Sequence, residues 1–150
     1  MSLVNDLLES PADLSAASKY TAINGMIYLA IGTLLIVWPG ATQTLFMDRV
    51  FVGDEGGLMR AMGMAVAVIG WLYLFGGRSG ARQVVAASVY DRLTLVPVVL
   101  VPLAVAGVFP HLFLAFAILD AALAIGAWVL FGRMTRGVIA ASRRGESSGE

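Results

Sequence analysis

PHLFLAFAILDAALAIGAWVLF, from Pro110 to Phe131, carries one formal charge, the carboxylate of Asp120. At a helical rise of about 1.5 Å per residue it is long enough to cross the ~30 Å hydrocarbon core of a bilayer. Asp120 then lies roughly 15 Å deep, near the midplane. A charge at that depth costs about 2.5–3.5 kcal/mol on insertion scales. The position therefore demands a buried partner, water, a proton or a ligand.

Three more stretches have the same character: Tyr20–Trp38, Leu58–Gly76, and a run that starts between Val84 and Val89 and ends near Phe109. Each meets the requirement of about 20 apolar residues for a spanning helix. The 150-residue chain is 59% hydrophobic and 13% charged, with a mean hydropathy of +0.83. Soluble domains are near 45–50% apolar and ~25% charged, so lipid is the main solvent of this chain. Backbone polar groups find no water inside a bilayer, and nothing here alternates like barrel strands, so the spans are helices. The predicted fold is an all-α membrane protein, one four-transmembrane-helix bundle over residues 1–136. An amphipathic segment at 1–9 precedes the spans, and an unstructured tail at 137–150 follows them.

Charge orients the bundle. With four spans, Lys19, Arg78, Arg82, Arg92, Arg133, Arg136, Arg143 and Arg144 share one side, and Arg49 and Arg60 the other. Eight basic residues against two predict that both termini are cytoplasmic, in a bacterial inner membrane. The N-terminal stretch ahead of Lys19 lacks the basic flank and cleavage site of a signal peptide, so the first span is expected to be retained. Ser10-Pro11-Ala12-Asp13 reads as a helix start, extending the first helix from Pro11 to Trp38, where Pro39-Gly40 stops it. In the outer loop, Leu45, Phe46, Val50 and Phe51 are expected in the headgroup layer. In the third span Pro97 and Pro102 predict a kink, because each frees the carbonyl four residues back, on Leu93 and Val98.

Glycine marks the faces that pack. Gly25 and Gly32, then Gly63, Gly70 and Gly77, recur every seven residues. Such stripes let helix backbones approach closely, within one chain or between copies. GMIYLAIGTL (Gly25–Leu34) also matches GMAVAVIGWL (Gly63–Leu72) at Gly-Met, Ile-Gly and the final Leu, which suits either an inverted repeat or shared packing needs.

Asp120 shares a helix face with Phe113, Phe116, Ala117, Leu123, Ala124 and Ala127, and small residues there point it into the bundle. Polar groups at similar depth are Tyr28, Trp71, Arg92 and Thr94, with Asn24 nearer the cytoplasmic side. Together with Asp120 these six form the candidate ligand-binding set. Arg92 and Arg60 are the two cations able to reach Asp120, and both are also able to snorkel to an interface. His111 reads as a surface group in a two-residue turn, and the seven methionines as apolar filling.

Cysteine is absent and His111 is the only histidine, so no metal site and no cofactor are expected. Phosphate-loop, HExxH and GxSxG motifs are missing, so no catalytic residues are assigned. The basic tail suits anionic lipid and carries too few aromatics for nucleic acid.

A proline after the first span, an outer loop with LFMDRVFVG (Leu45–Gly53) and a second span opening with GLMRAMG (Gly57–Gly63) complete the layout. This layout resembles the small four-helix bacterial inner-membrane proteins of the DoxX-like and BphX-like type. The resemblance implies the fold and no site residues. Three functions fit the sequence: a non-enzymatic module that binds or passes a small apolar or amphipathic molecule, an accessory subunit of a larger membrane complex, and an intramembrane enzyme acting on a lipid or quinone-like substrate. Expected partners are the bilayer, a small hydrophobic ligand, and further copies or a larger complex.

Overall fold

The computed structural model describes residue 9 and residues 11–147, with side chains described as far as Arg133. Ser10 and all but the last residue of the amphipathic segment lie outside the described residues. Among the described residues five helices follow in order: α1 (Ala16–Val37), α2 (Ala41–Phe46), α3 (Glu55–Arg78), α4 (Arg82–Val105) and α5 (Pro110–Ser147). All but α2 are long and apolar enough to cross a membrane, and no strand occurs among the described residues.

α1 starts later than the expected Pro11. Ser15 is its cap, its hydroxyl accepting from the Ser18 amide at 3.0 Å and donating to the Ser18 hydroxyl at 2.8 Å. Pro11 and Leu14 instead pack beside Gly80, whose φ of +71° turns the chain between α3 and α4. At the other extreme the α5 backbone is helical through Ser147, across most of the segment expected to be an unstructured tail.

The bundle is two helix pairs. α1 packs most closely on α3, and α4 on α5, whereas α3 and α4 touch at few points. Glycine explains the first pair. A Cβ on Gly32 would lie 2.5 Å from the Ala67 amide nitrogen and 2.6 Å from the Gly63 carbonyl oxygen. One on Gly70 would lie 2.5 Å from the Leu29 nitrogen and 2.8 Å from the Gly25 oxygen. The two matching motifs thus meet antiparallel, the first glycine of each against the second of the other. Gly77 continues the seam against Ser18 and Ala22. No side chain separates the helices at these points, the arrangement that small residues permit in membranes.

α4 runs through Pro97 and Pro102 as one continuous helix. It ends at Val105, and a four-residue turn rather than two leads to Pro110, with Gly107 at φ +80°. His111 consequently sits in the first turn of α5. Its side chain is largely exposed, as expected, but its amide donates to Asp48 Oδ1 at 3.2 Å, and the Leu112 amide donates to Asp48 Oδ2 at 2.9 Å. Asp48 thereby caps α5 from the loop after α2, a distance in sequence that no local cap pattern reveals. His111 Nδ1 lies 3.1 Å from the same carboxylate.

The end of the bundle that carries α2 is apolar inside, with Leu35, Met59, Phe109, Leu112 and Phe113 as its core. Phe46 and Phe51 pack against that core, while Leu45 and Val50 point outward with Met47 and Val52. Of the four residues expected in the headgroup layer, Leu45 and Val50 are exposed, whereas Phe46 and Phe51 are partly buried against the core. Toward the terminal end the largest fully buried side chains, Val85 apart, are polar: Arg92, Asn24, Thr21, Ser18 and Ser88. Burial of so many polar groups in one half of a membrane bundle sets the site.

Candidate functional site: a buried arginine and aspartate beside an apolar groove

Each helix contributes its interior stripe. α4 buries Val85, Ser88 and Arg92, spaced three and four residues apart, so Arg92 turns inward and is 1% exposed. α5 buries Phe113, Ala117, Asp120, Ala124 and Ala127, the face expected from its small residues. Asn24 and Tyr28, one turn apart on α1, are both buried.

The Arg92 guanidinium sits in the corner formed by two aromatic rings, with its Cζ 4.4 Å from the centroid of Tyr73 and 4.8 Å from that of Tyr28. Those rings meet edge to face at 5.8 Å. A ring face attracts a desolvated cation by up to about 2 kcal/mol or more, so the two rings offset part of the cost of burying Arg92. The Tyr73 hydroxyl donates to Asp91. Arg92 Nε stands 3.9 Å from Asp120 Oδ1, an ion-pair distance too long for a hydrogen bond.

Five buried side-chain atoms here have no hydrogen-bond partner: Asn24 Nδ2, Tyr28 Oη, Arg92 Nε, Arg92 Nη2 and Asp120 Oδ1. Among the described residues these are the buried side-chain nitrogens and oxygens left without one. Each such atom costs about 1–3 kcal/mol and more when charged, so their concentration in one cluster needs a reason.

Beside the cluster runs a groove of about 310 Å³ between α3 and α4. Met62, Ala65, Val66 and Ile69 form one wall, Leu95, Val96, Val99 and Leu100 the other, and Tyr28, Phe113, Phe116 and Asp120 the floor. Leu95 and Val99 are more than half exposed, so the groove opens sideways, toward lipid. On the same seam, beyond Tyr73 toward the terminal end, a second cavity of about 510 Å³ is lined by Tyr73, Ser88 and Asp91 among others. Sparse packing between α3 and α4 leaves room for both.

Of the six candidate residues the structure brings together four, Asn24, Tyr28, Arg92 and Asp120. Trp71 is not among them; it is 48% exposed and its ring meets that of Phe75 at a tilt of 51°, 4.6 Å between centroids. Thr94 is also outside, its hydroxyl donating to the Tyr90 carbonyl of its own helix at 2.7 Å. Both were chosen by depth alone, and depth ignores helical phase. Thr94 is two residues, or about 200°, round the helix from Arg92. Tyr73 takes the place assigned to Trp71, since three residues past Gly70 and four before Gly77 it shares their face. Arg60 is exposed and takes no part.

No protein-family model, curated protein or solved structure matches this chain.

Proposed function

We propose that this small multi-pass membrane protein binds an amphipathic molecule in the α3–α4 groove, and holds or passes it without chemical change. Tyr28 and Asp120, two of the four residues with unpartnered buried atoms, line the floor of an apolar groove with Arg92 packed behind them, and this carries the reading. A ligand site is mostly apolar with a few convergent polar groups, and this one has both parts. An apolar chain fits between the α3 and α4 walls, with its head against the polar floor. The cluster holds no histidine, cysteine or serine nucleophile, so binding is favoured over turnover. The glycine faces that offered an assembly surface are occupied between α1 and α3, which favours binding over a docking role as an accessory subunit.

The membrane is proposed to be the bacterial inner membrane, with both termini cytoplasmic, on the eight-to-two charge balance and the resemblance of the sequence layout to DoxX-like proteins. Reporter fusions after Gly145 and within Gly77–Gly80 are expected on the cytoplasmic side, and one at Gly53 outside. An external C-terminus would reverse that orientation. The binding reading is tested by gentle purification followed by solvent extraction and mass spectrometry. One amphiphile at near-equimolar ratio is expected from the wild-type chain and a reduced amount from Asp120→Leu. Equal amounts from both would remove Asp120 from the site.

A further inference from the structure

The second cavity on the α3–α4 seam has boundaries and a charge of its own. Toward the centre of the bundle it ends at the Tyr73 hydroxyl, which crosses from α3 to donate to Asp91 Oδ2 on α4. Toward the terminal end the two helices close again, where a Cβ on Gly76 would lie 2.5 Å from Val84 Cγ1. Between these contacts are about 510 Å³, with Trp71, Phe75 and Ser88 in the lining beside Tyr73 and Asp91. Trp71 and Leu72 are both exposed, so this cavity too opens sideways.

Asp91 differs from Asp120 in access. It is half-buried and lines its cavity; Oδ2 is taken by Tyr73, whereas Oδ1 accepts from no donor and, unlike Asp120 Oδ1, stays accessible. The two also differ in charge balance. Among the described residues Arg92 is the one fully buried cation, and it stands 3.9 Å from Asp120. No lysine or arginine nitrogen among the described residues comes within ion-pair distance of Asp91. One guanidinium therefore stands against two carboxylates.

An open carboxylate oxygen without a countercharge, in a cavity lined by aromatic residues, suits a cation. The carboxylate accepts a charge-assisted hydrogen bond, and aromatic faces attract positive charge. An anion would be repelled by Asp91 in a low-dielectric setting, and a neutral molecule would leave its charge unmatched. A hard divalent metal ion asks for about six oxygen ligands. This cavity has one carboxylate and two hydroxyls, and that of Ser88 already donates to the Val85 carbonyl. We propose that the cavity binds an amphipathic ammonium, an N–H donating to Asp91 Oδ1 and the carbon chain leaving past Trp71 and Leu72 into lipid. Asp91 lies roughly 13 Å along α4 from Arg82, which keeps the charged head in the leaflet nearer the termini. The cavity shares no lining residue with the groove described above, so either site can fail alone.

Dodecylamine, dodecanol and dodecyl phosphate share one chain and differ in the charge of the head. Each is titrated at neutral pH into the purified full chain in nonionic detergent, with binding followed by native mass spectrometry and tryptophan fluorescence. Dodecylamine is expected to bind about tenfold more tightly than dodecanol, the size of one hydrogen bond to a charged group. Asp91→Asn, which keeps a carbonyl oxygen for Tyr73, is expected to erase that preference, and Trp71→Leu, at an exposed position of the wall, to reduce it. Dioleoyl phosphatidylethanolamine against dioleoyl phosphatidylglycerol repeats the comparison on lipids. A matching preference there assigns the ammonium to a lipid headgroup, and a preference confined to dodecylamine assigns it to a free amine. Equal binding of amine and alcohol, or tighter binding of the phosphate, overturns the proposal. So does an amine preference that survives Asp91→Asn, because the cation then sits elsewhere. If Asp91→Asn does not fold, the wild-type series and Trp71→Leu decide the outcome.

Discussion

Gly70→Ala is expected to cost about 3 kcal/mol or more of stability, above the middle of the range for overpacked cores. The added methyl would meet the Leu29 nitrogen, the Gly25 oxygen and the Tyr28 carbonyl carbon, all within 2.9 Å and all backbone. Flexible side chains can move aside, but here α1 and α3 must part. The displacement also reaches Tyr28 directly, so ligand binding should fall with stability. Gly57→Ala is the matched control on the same helix, because a Cβ there meets nothing within 4 Å. It should be neutral or gain up to ~1 kcal/mol of helix propensity. Unfolding in mixed detergent micelles measures both. Equal stability of Gly70→Ala and wild type would contradict backbone contact between the two helices.

Arg92→Leu is the second large effect, and its size relative to Asp120→Leu is the informative quantity. Removing the cation leaves the Asp120 carboxylate buried with no countercharge, a change that costs ~3–5 kcal/mol in soluble proteins. Removing the carboxylate leaves Arg92 against the rings of Tyr28 and Tyr73, which still face it. Asp120→Leu is therefore expected to cost less than about 1 kcal/mol, given that a desolvated ring face is worth about 2 kcal/mol to a cation. The double variant should recover most of the stability lost in Arg92→Leu and bind no ligand. A double-mutant cycle reads the coupling. If Arg92→Leu proves as mild as Asp120→Leu, the carboxylate does not depend on this arginine.

The four spans were legible because lipid allows only one backbone solution, and length with hydropathy then suffices. The glycine register was legible for the same kind of reason, since Gly25, Gly32, Gly63, Gly70 and Gly77 hold a seven-residue spacing that only helix contact requires. Arg92 was not decided. Its stem reaches an interface or the interior equally well, and what settles it inward is a pair of rings on two other helices. Tyr73 was missed although its phase relative to Gly70 and Gly77 was available, and Trp71 stood in its place by depth. Asp48 had no local signal at all: its partners are the His111 and Leu112 amides, more than sixty residues on. Pairings between distant segments depend on the packing of whole helices, which periodicity within one helix does not encode.

The sideways opening of the groove alters what affinity means for its occupant. A molecule arriving from water would be drawn in by every methylene it buries. One arriving through the opening between α3 and α4, past Leu95 and Val99, leaves acyl chains for walls of valine and leucine, and lipid tails are as apolar as those walls. Lengthening the chain then adds little transfer free energy, because both phases are oil. Occupancy follows the mole fraction of the compound in the bilayer, and dilution with inert lipid lowers it even when the total amount per cell is constant. Discrimination falls to the few polar atoms on the floor, where bilayer and protein differ most.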